Sequence, residues 1–126
     1  MLRRLTILAA LALLATAVMA DVAAAKGGLG IRKARSVTLE VAQRAAIEAG
    51  YDEAYAGGCK RRSKRKVVCW GAIVKGNYGA AQKVRVTKKR GKIRAKRFGR
   101  VVEGQIRGES KEEWAVCTPD GACVGS

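Results

Sequence analysis

The segment Cys117-Thr118-Pro119-Asp120-Gly121-Ala122-Cys123 carries the chemistry of a tight β-hairpin between two cysteines. Pro119 fixes φ at about −65°, as the second position of a type I turn requires, and Gly121 stands where the chain must enter a left-handed conformation. Counting outward from that loop, Thr118 faces Ala122 and Cys117 faces Cys123. Directly opposed residues of an antiparallel pair lie close enough for a disulfide. Cys59 and Cys69 are likewise symmetric about Lys64, so the same counting opposes them across a second hairpin. Four cysteines allow three connectivities, and the turn chemistry favours Cys59–Cys69 with Cys117–Cys123. Closing such short rings stabilises the fold by about 2 to 3 kcal/mol each. A four-cysteine zinc site is the rival arrangement. Zinc knuckles place two to four residues between paired cysteines, whereas these pairs enclose nine and five in a chain without histidine, so no metal and no cofactor are expected.

The N-terminus has the three parts of an export signal: Arg3 and Arg4, an apolar run from Leu5 to Val18, and a small-residue exit at Ala20. That run is shorter than the roughly 20 residues a membrane-spanning helix needs, and Asp21 follows it. Cleavage fits after Ala20 and also after Ala25, and the sequence leaves both open. No stable span is expected once the signal is removed, and the protein reads as secreted or extracytoplasmic, where disulfides persist. Removing residues 1–20 takes Arg3 and Arg4 with it and lowers the formal charge from +16 to +14.

Residues 21–36 are rich in Ala, Gly and basic side chains without a clear period and read as a flexible lead-in. Residues 37–126 read as one small α+β domain. Thr38 reads as an N-cap, Glu40 lies in the first turn, and Gly50 is placed for a C-cap, predicting a helix of about eleven residues. Leu39, Ala42, Ala46 and Ala49 recur at helical spacing and form its core-facing stripe. Val67 to Val74 is β-branched and apolar on both sides, as a central strand is. Lys83 to Lys88 alternates, with Val84 and Val86 on one side. After a turn at Arg90-Gly91, Lys92 to Lys96 alternates again around Ile93 and Ala95. Val101 to Ile106, interrupted by Gly104, and Glu113 to Cys117 complete the pattern. The expected architecture is one N-terminal helix packed on an antiparallel meander of about five to six strands, stabilised by disulfides.

Charge is sorted along this scaffold. The 49 residues from Ala54 to Val102 contain seventeen Lys or Arg and no Asp or Glu. Exposed strands need charges on their outer face, and edge lysines discourage aggregation. Those needs do not remove acids from so long a window, because a merely soluble surface mixes signs. The candidate polyanion-binding residues fall in two groups. Lys60, Arg61, Arg62, Lys64, Arg65 and Lys66 form a disulfide-clamped turn. Lys83, Arg85, Lys92, Arg94 and Lys96 form the outer face of the alternating hairpin. The aromatic residues of this window are Tyr55, Trp70, Tyr78 and Phe98, with Trp70 expected in the core.

Absence of histidine removes the usual general base near neutral pH and the Ser-His-Asp and Cys-His arrangements. Asp52 with Glu53, and Glu112 with Glu113, are adjacent in sequence and do not converge as catalytic carboxylates do. Gly27-Gly28 and Gly57-Gly58 lack the Lys-Ser/Thr continuation of a phosphate-binding loop. The chain therefore reads as a secreted, non-enzymatic basic protein without a small-molecule substrate, binding an anionic polymer or surface by charge. Envelope glycans, lipid headgroups and extracellular nucleic acid are the partners considered. The alternative is a protein-interaction or inhibitor domain that presents one of the disulfide-held hairpins.

Overall fold

The computed structural model describes residues 27–108 and 110–126. The segment read as an export signal, and residues 21–26 of the expected lead-in, lie outside them. Among the described residues one helix, α1 (Ile31–Ala49), precedes six strands: β1 (Glu53–Ser63), β2 (Lys66–Lys75), β3 (Tyr78–Lys89), β4 (Lys92–Arg107), β5 (Ala115–Cys117) and β6 (Cys123–Gly125). The strands form a single antiparallel sheet in chain order. This is the expected α+β meander, stapled by Cys59–Cys69 and Cys117–Cys123.

The helix is longer than its cap signals suggested. It begins at Ile31 after Gly30, whose backbone is extended (φ −76°, ψ 148°), and ends at Gly50 with φ 73°. Thr38 is not the N-cap. It is fully buried in mid-helix, and its hydroxyl donates to the Ala34 carbonyl at 2.8 Å, satisfying it without leaving helical geometry. The physical reason is a stripe of small residues, Ala34, Thr38, Ala42 and Ala46, spaced by four and buried against the sheet. Gly71 on β2 continues this close approach: a Cβ placed there would lie 3.4 Å from Thr38 Cγ2 and 3.5 Å from Ala42 Cβ. Residues 27–30 also belong to the folded unit, because Leu29 is 2 % exposed and packs with Ala34, Val67, Val84 and Val86.

The sheet has two unlike faces. Val67, Cys69, Gly71 and Ile73 of β2 look towards α1, joined by Val84 and Val86 of β3. On the other face the sheet rolls onto itself. Tyr55, Trp70, Ala72, Ala81, Val102, Ile106, Trp114, Val116 and Val124 converge there from every strand, with Trp114 contributed by the residue preceding β5. The roll brings the end of the chain back to the first strand. Gly125 places its carbonyl against Gly58, Ser126 lies against Gly57, and the Trp114 indole N–H donates to the Ala56 carbonyl at 3.4 Å.

Two of the three departures from regular pairing, those beside left-handed glycines, make this curvature. Register shifts between Gly57 and Lys60, where Gly58 adopts φ 59°. It shifts again opposite Gln82, where Gly99 adopts φ 77° and its carbonyl accepts from the Gln82 amide at 2.9 Å. Bulges of this kind bend a strand and increase its twist. They explain why Lys92–Arg107 is one sixteen-residue strand rather than two separate segments.

Candidate functional site

The register of β2, β3 and β4 decides which cations share a face. Trp70 pairs with Lys83, and Lys83 with Phe98. In the next row Val68 pairs with Arg85, and Arg85 with Lys96, while Lys60 faces Val68 from β1. The third row is Lys66, Thr87 and Arg94, and Lys89 pairs with Lys92 beyond it. Alternation places all these side chains on the face away from the helix. Lys66, Arg85, Thr87, Arg94 and Lys96 line one open groove there. Arg90 and Gly91, both left-handed (φ 54° and 75°), close the β3–β4 hairpin where the turn was expected. Its tight closure keeps the two alternating strands in register.

One face of the sheet thus carries two environments. At one end Trp114, Val116, Ala72 and Ala81 make it dry. At the other, Lys60, Lys66, Lys83, Arg85, Lys92, Arg94 and Lys96 meet solvent beside two half-buried rings. The Lys83 Nζ lies 5.5 Å from the Trp70 ring centroid, and the Arg85 guanidinium carbon 5.7 Å from that of Phe98. Trp70 is therefore no closed core residue. It borders the dry cluster on one side and the basic groove on the other.

The first basic group is divided by the structure. Lys60 to Ser63 continue β1 as strand, so only Lys64 and Arg65 form the turn. Arg61 is directed to the helix side, where its Nη2 donates to the Leu29 carbonyl at 2.6 Å. Lys64 accepts the Leu29 N–H at its carbonyl, 2.9 Å away, and its side chain lies beside Gly28. Arg62 and Arg65 are exposed at the strand end and the turn. Lys89 joins the face one step beyond the expected strand, and the strict alternation after Lys83 carries the signal for it.

Among the described residues, the acids keep away from the groove lining. Glu53 shares the face but occupies its far end, eight residues of β2 or about 27 Å from Lys66, where it accepts from the Tyr55 hydroxyl. That hydrogen bond, assisted by burial, raises the Tyr55 phenol above its usual value. Glu103 is directed to the opposite face beside Tyr78. Burial first, and then Glu103, hold that phenol above its usual value.

Chemically the groove offers fixed positive charge, a hydroxyl at Thr87 and two aromatic faces. All four cysteines are oxidised, and among the described residues no three metal-ligating side chains converge. No described helix is long and apolar enough to cross a membrane. Comparison with known proteins gives no match to a family, a curated sequence or a solved structure.

Proposed function

We propose that this chain is an exported, non-catalytic basic module that binds an anionic polymer along the open end of its inner sheet face. The observation that carries the reading is the three-row register, which gathers Lys66, Arg85, Arg94 and Lys96 around one groove without a carboxylate among them. Like charges so placed repel one another, and a bound polyanion relieves that repulsion while releasing its own counterions. Two disulfides suit an oxidising compartment, and Cys59–Cys69 holds the cation-rich β1–β2 hairpin against this repulsion.

Retention of the oxidised protein on immobilised heparin and DNA, eluted by a salt gradient, tests the reading. Replacing Lys66, Arg85, Arg94 and Lys96 with Gln lowers the eluting salt sharply. Replacing the exposed Lys33, Arg44 and Lys75, which lie off this face, changes it little. Flow-through of the native protein at about 0.1 M salt, where charge-driven contacts still hold, overturns the proposal.

A further inference from the structure

Charge alone does not explain the two rings. Trp70 and Phe98 stand on either side of Lys83 in one cross-strand row, both half-buried and both edging the basic groove. Lys83 and Arg85 sit over ring faces rather than beside ring edges, so the rings present their π surfaces on the side of the cations. Trp70 also packs against the dry cluster around Trp114, so it closes that cluster on one side and meets the cations on the other. An aromatic pair in the row bordering a cationic groove marks a ligand that brings flat rings together with negative charge.

We propose that the polymer bound here is single-stranded nucleic acid, its phosphates on Arg85, Lys96, Lys66 and Arg94 and its bases stacked on Trp70 and Phe98. The inference rests on the polyanion reading and adds the chemistry of the ligand. Successive rows lie two residues apart, about 6.7 Å along the strands, which repeats positive charge at the interval of an extended sugar-phosphate backbone. Lys83 is a flexible ammonium that swings from Trp70 to a phosphate and frees the ring face. Arg85, its guanidinium carbon 5.7 Å from the Phe98 ring centroid, likewise moves to a phosphate and frees that ring for a base. A duplex hides its base faces within the stack, so these rings select unpaired strands. Stacking of this kind tolerates every base, and no sequence preference follows from it.

The test compares three probes on the oxidised protein: an oligothymidine, an abasic oligodeoxynucleotide of equal length and charge, and a heparin fragment. Trp70 supplies the optical signal, because Trp114 is 3 % exposed and shielded from added ligand. The thymidine strand binds more tightly than the abasic strand by at least about tenfold, the contribution of a single stacked base, and quenches the emission. Phe98→Leu keeps an apolar side chain, narrows that ratio and leaves heparin affinity unchanged. Equal binding of thymidine and abasic strands overturns the nucleic-acid assignment. Heparin bound more tightly than thymidine also overturns it and points to a glycan. Both of those results leave the polyanion reading standing, whereas failure of all three probes to bind overturns the two together.

Discussion

Arg61 holds Leu29 from the opposite side of the hairpin turn: its Nη2 donates to the Leu29 carbonyl at 2.6 Å while the Leu29 N–H donates to the Lys64 carbonyl at 2.9 Å. The same guanidinium also donates from Nη1 to the Ser63 and Lys64 carbonyls, at 3.3 and 3.2 Å. A residue in the most basic run of the chain is therefore a clasp between the start of the domain and its first hairpin. It anchors the segment that buries Leu29 against Val67 and Val86.

Arg61→Ala is expected to cost about 1 to 2 kcal/mol, because a partly buried carbonyl loses a charged donor. Arg62→Ala, at an exposed strand position one residue on, stays within about 0.5 kcal/mol of the native protein. Urea unfolding of the two variants separates them. Equal midpoints contradict the clasp.

The groove cations are expected to reveal themselves in the salt slope rather than in stability. Removing one cation that neutralises a phosphate of a single strand flattens the dependence of log K on log salt by about 0.7. Arg85→Gln and Lys96→Gln each lower the slope by that amount, and Lys33→Gln on the exposed helix surface leaves it unchanged. Binding isotherms at four or more salt concentrations provide the measurement. A slope insensitive to Arg85 and Lys96 removes them from the binding face.

The two disulfides are expected to differ in their structural consequences. Opening either ring by paired Cys→Ser substitution costs about 2 to 3 kcal/mol from chain entropy. Cys69 is fully buried within the cluster under α1, so the Cys59/Cys69 variant also places a hydroxyl in that core. Cys117 is 5 % exposed but its partner Cys123 is exposed at the last hairpin, so the loss of this pair stays nearer the entropic figure. Thermal unfolding therefore ranks the Cys59/Cys69 variant below the Cys117/Cys123 variant. The reverse order contradicts the packing of Cys69.

Residues acting through local rules are legible in the sequence by themselves. Pro119 and Gly121 locate the last disulfide, and the alternation from Lys83 to Lys96 sorts charges from core because a strand has a strict two-residue period. Gly50 marks the helix end. The helix start is hidden because Gly27, Gly28 and Gly30 stand beside Arg32 and Lys33, masking Ala34 as the first member of the buried stripe. Thr38 carries an N-cap signal that tertiary burial overrides. Arg61 and Trp70 depend on partners across the fold, and no local pattern separates a clasp from a ligand-binding side chain. Gly57-Gly58 holds an available clue, since glycines inside a strand mark a bulge or a close backbone approach. That clue points to the place where the rolled sheet meets its own last strand.

Gly58 and Gly76 test this closure as a pair, since both adopt left-handed backbone, φ 59° and 58°. Nothing lies within 4 Å of a Cβ built at Gly76, whereas one at Gly58 meets the Gly125 carbonyl and lies 3.1 Å from Trp70 Cδ1. Gly76→Ala is expected to cost about 1 kcal/mol, the backbone penalty alone. Gly58→Ala adds the steric term and costs about 3 kcal/mol. It also disturbs Trp70, so its emission shifts while that of Gly76→Ala does not. Equal costs in denaturant contradict the contact between β1 and the chain end.

Asp120 gives the last hairpin an acid sensitivity whose direction follows from its partners. The Thr118 hydroxyl donates to the carboxylate while accepting the Ala122 N–H at 3.1 Å, and backbone N–H groups at Asp120 and Ala122 add to it. The Thr118 hydroxyl is the largest cause holding this carboxyl below the usual aspartate value, and the backbone donors reinforce it. A group whose folded-state pKa is depressed stabilises the fold above its unfolded pKa, and that contribution disappears as pH falls through the folded value. Hairpin stability is therefore intact at neutral pH and declines below the ordinary aspartate range. Asp120→Asn removes this component of acid destabilisation while leaving the turn geometry in place. Carbon-13 titration of the Asp120 carboxyl, with Thr118→Val as the comparison, gives the check: the native midpoint lies below the ordinary value and rises in the variant. A native midpoint at or above the ordinary value means that the hydroxyl does not favour the charged carboxylate, and the acid-sensitive hairpin is lost with it.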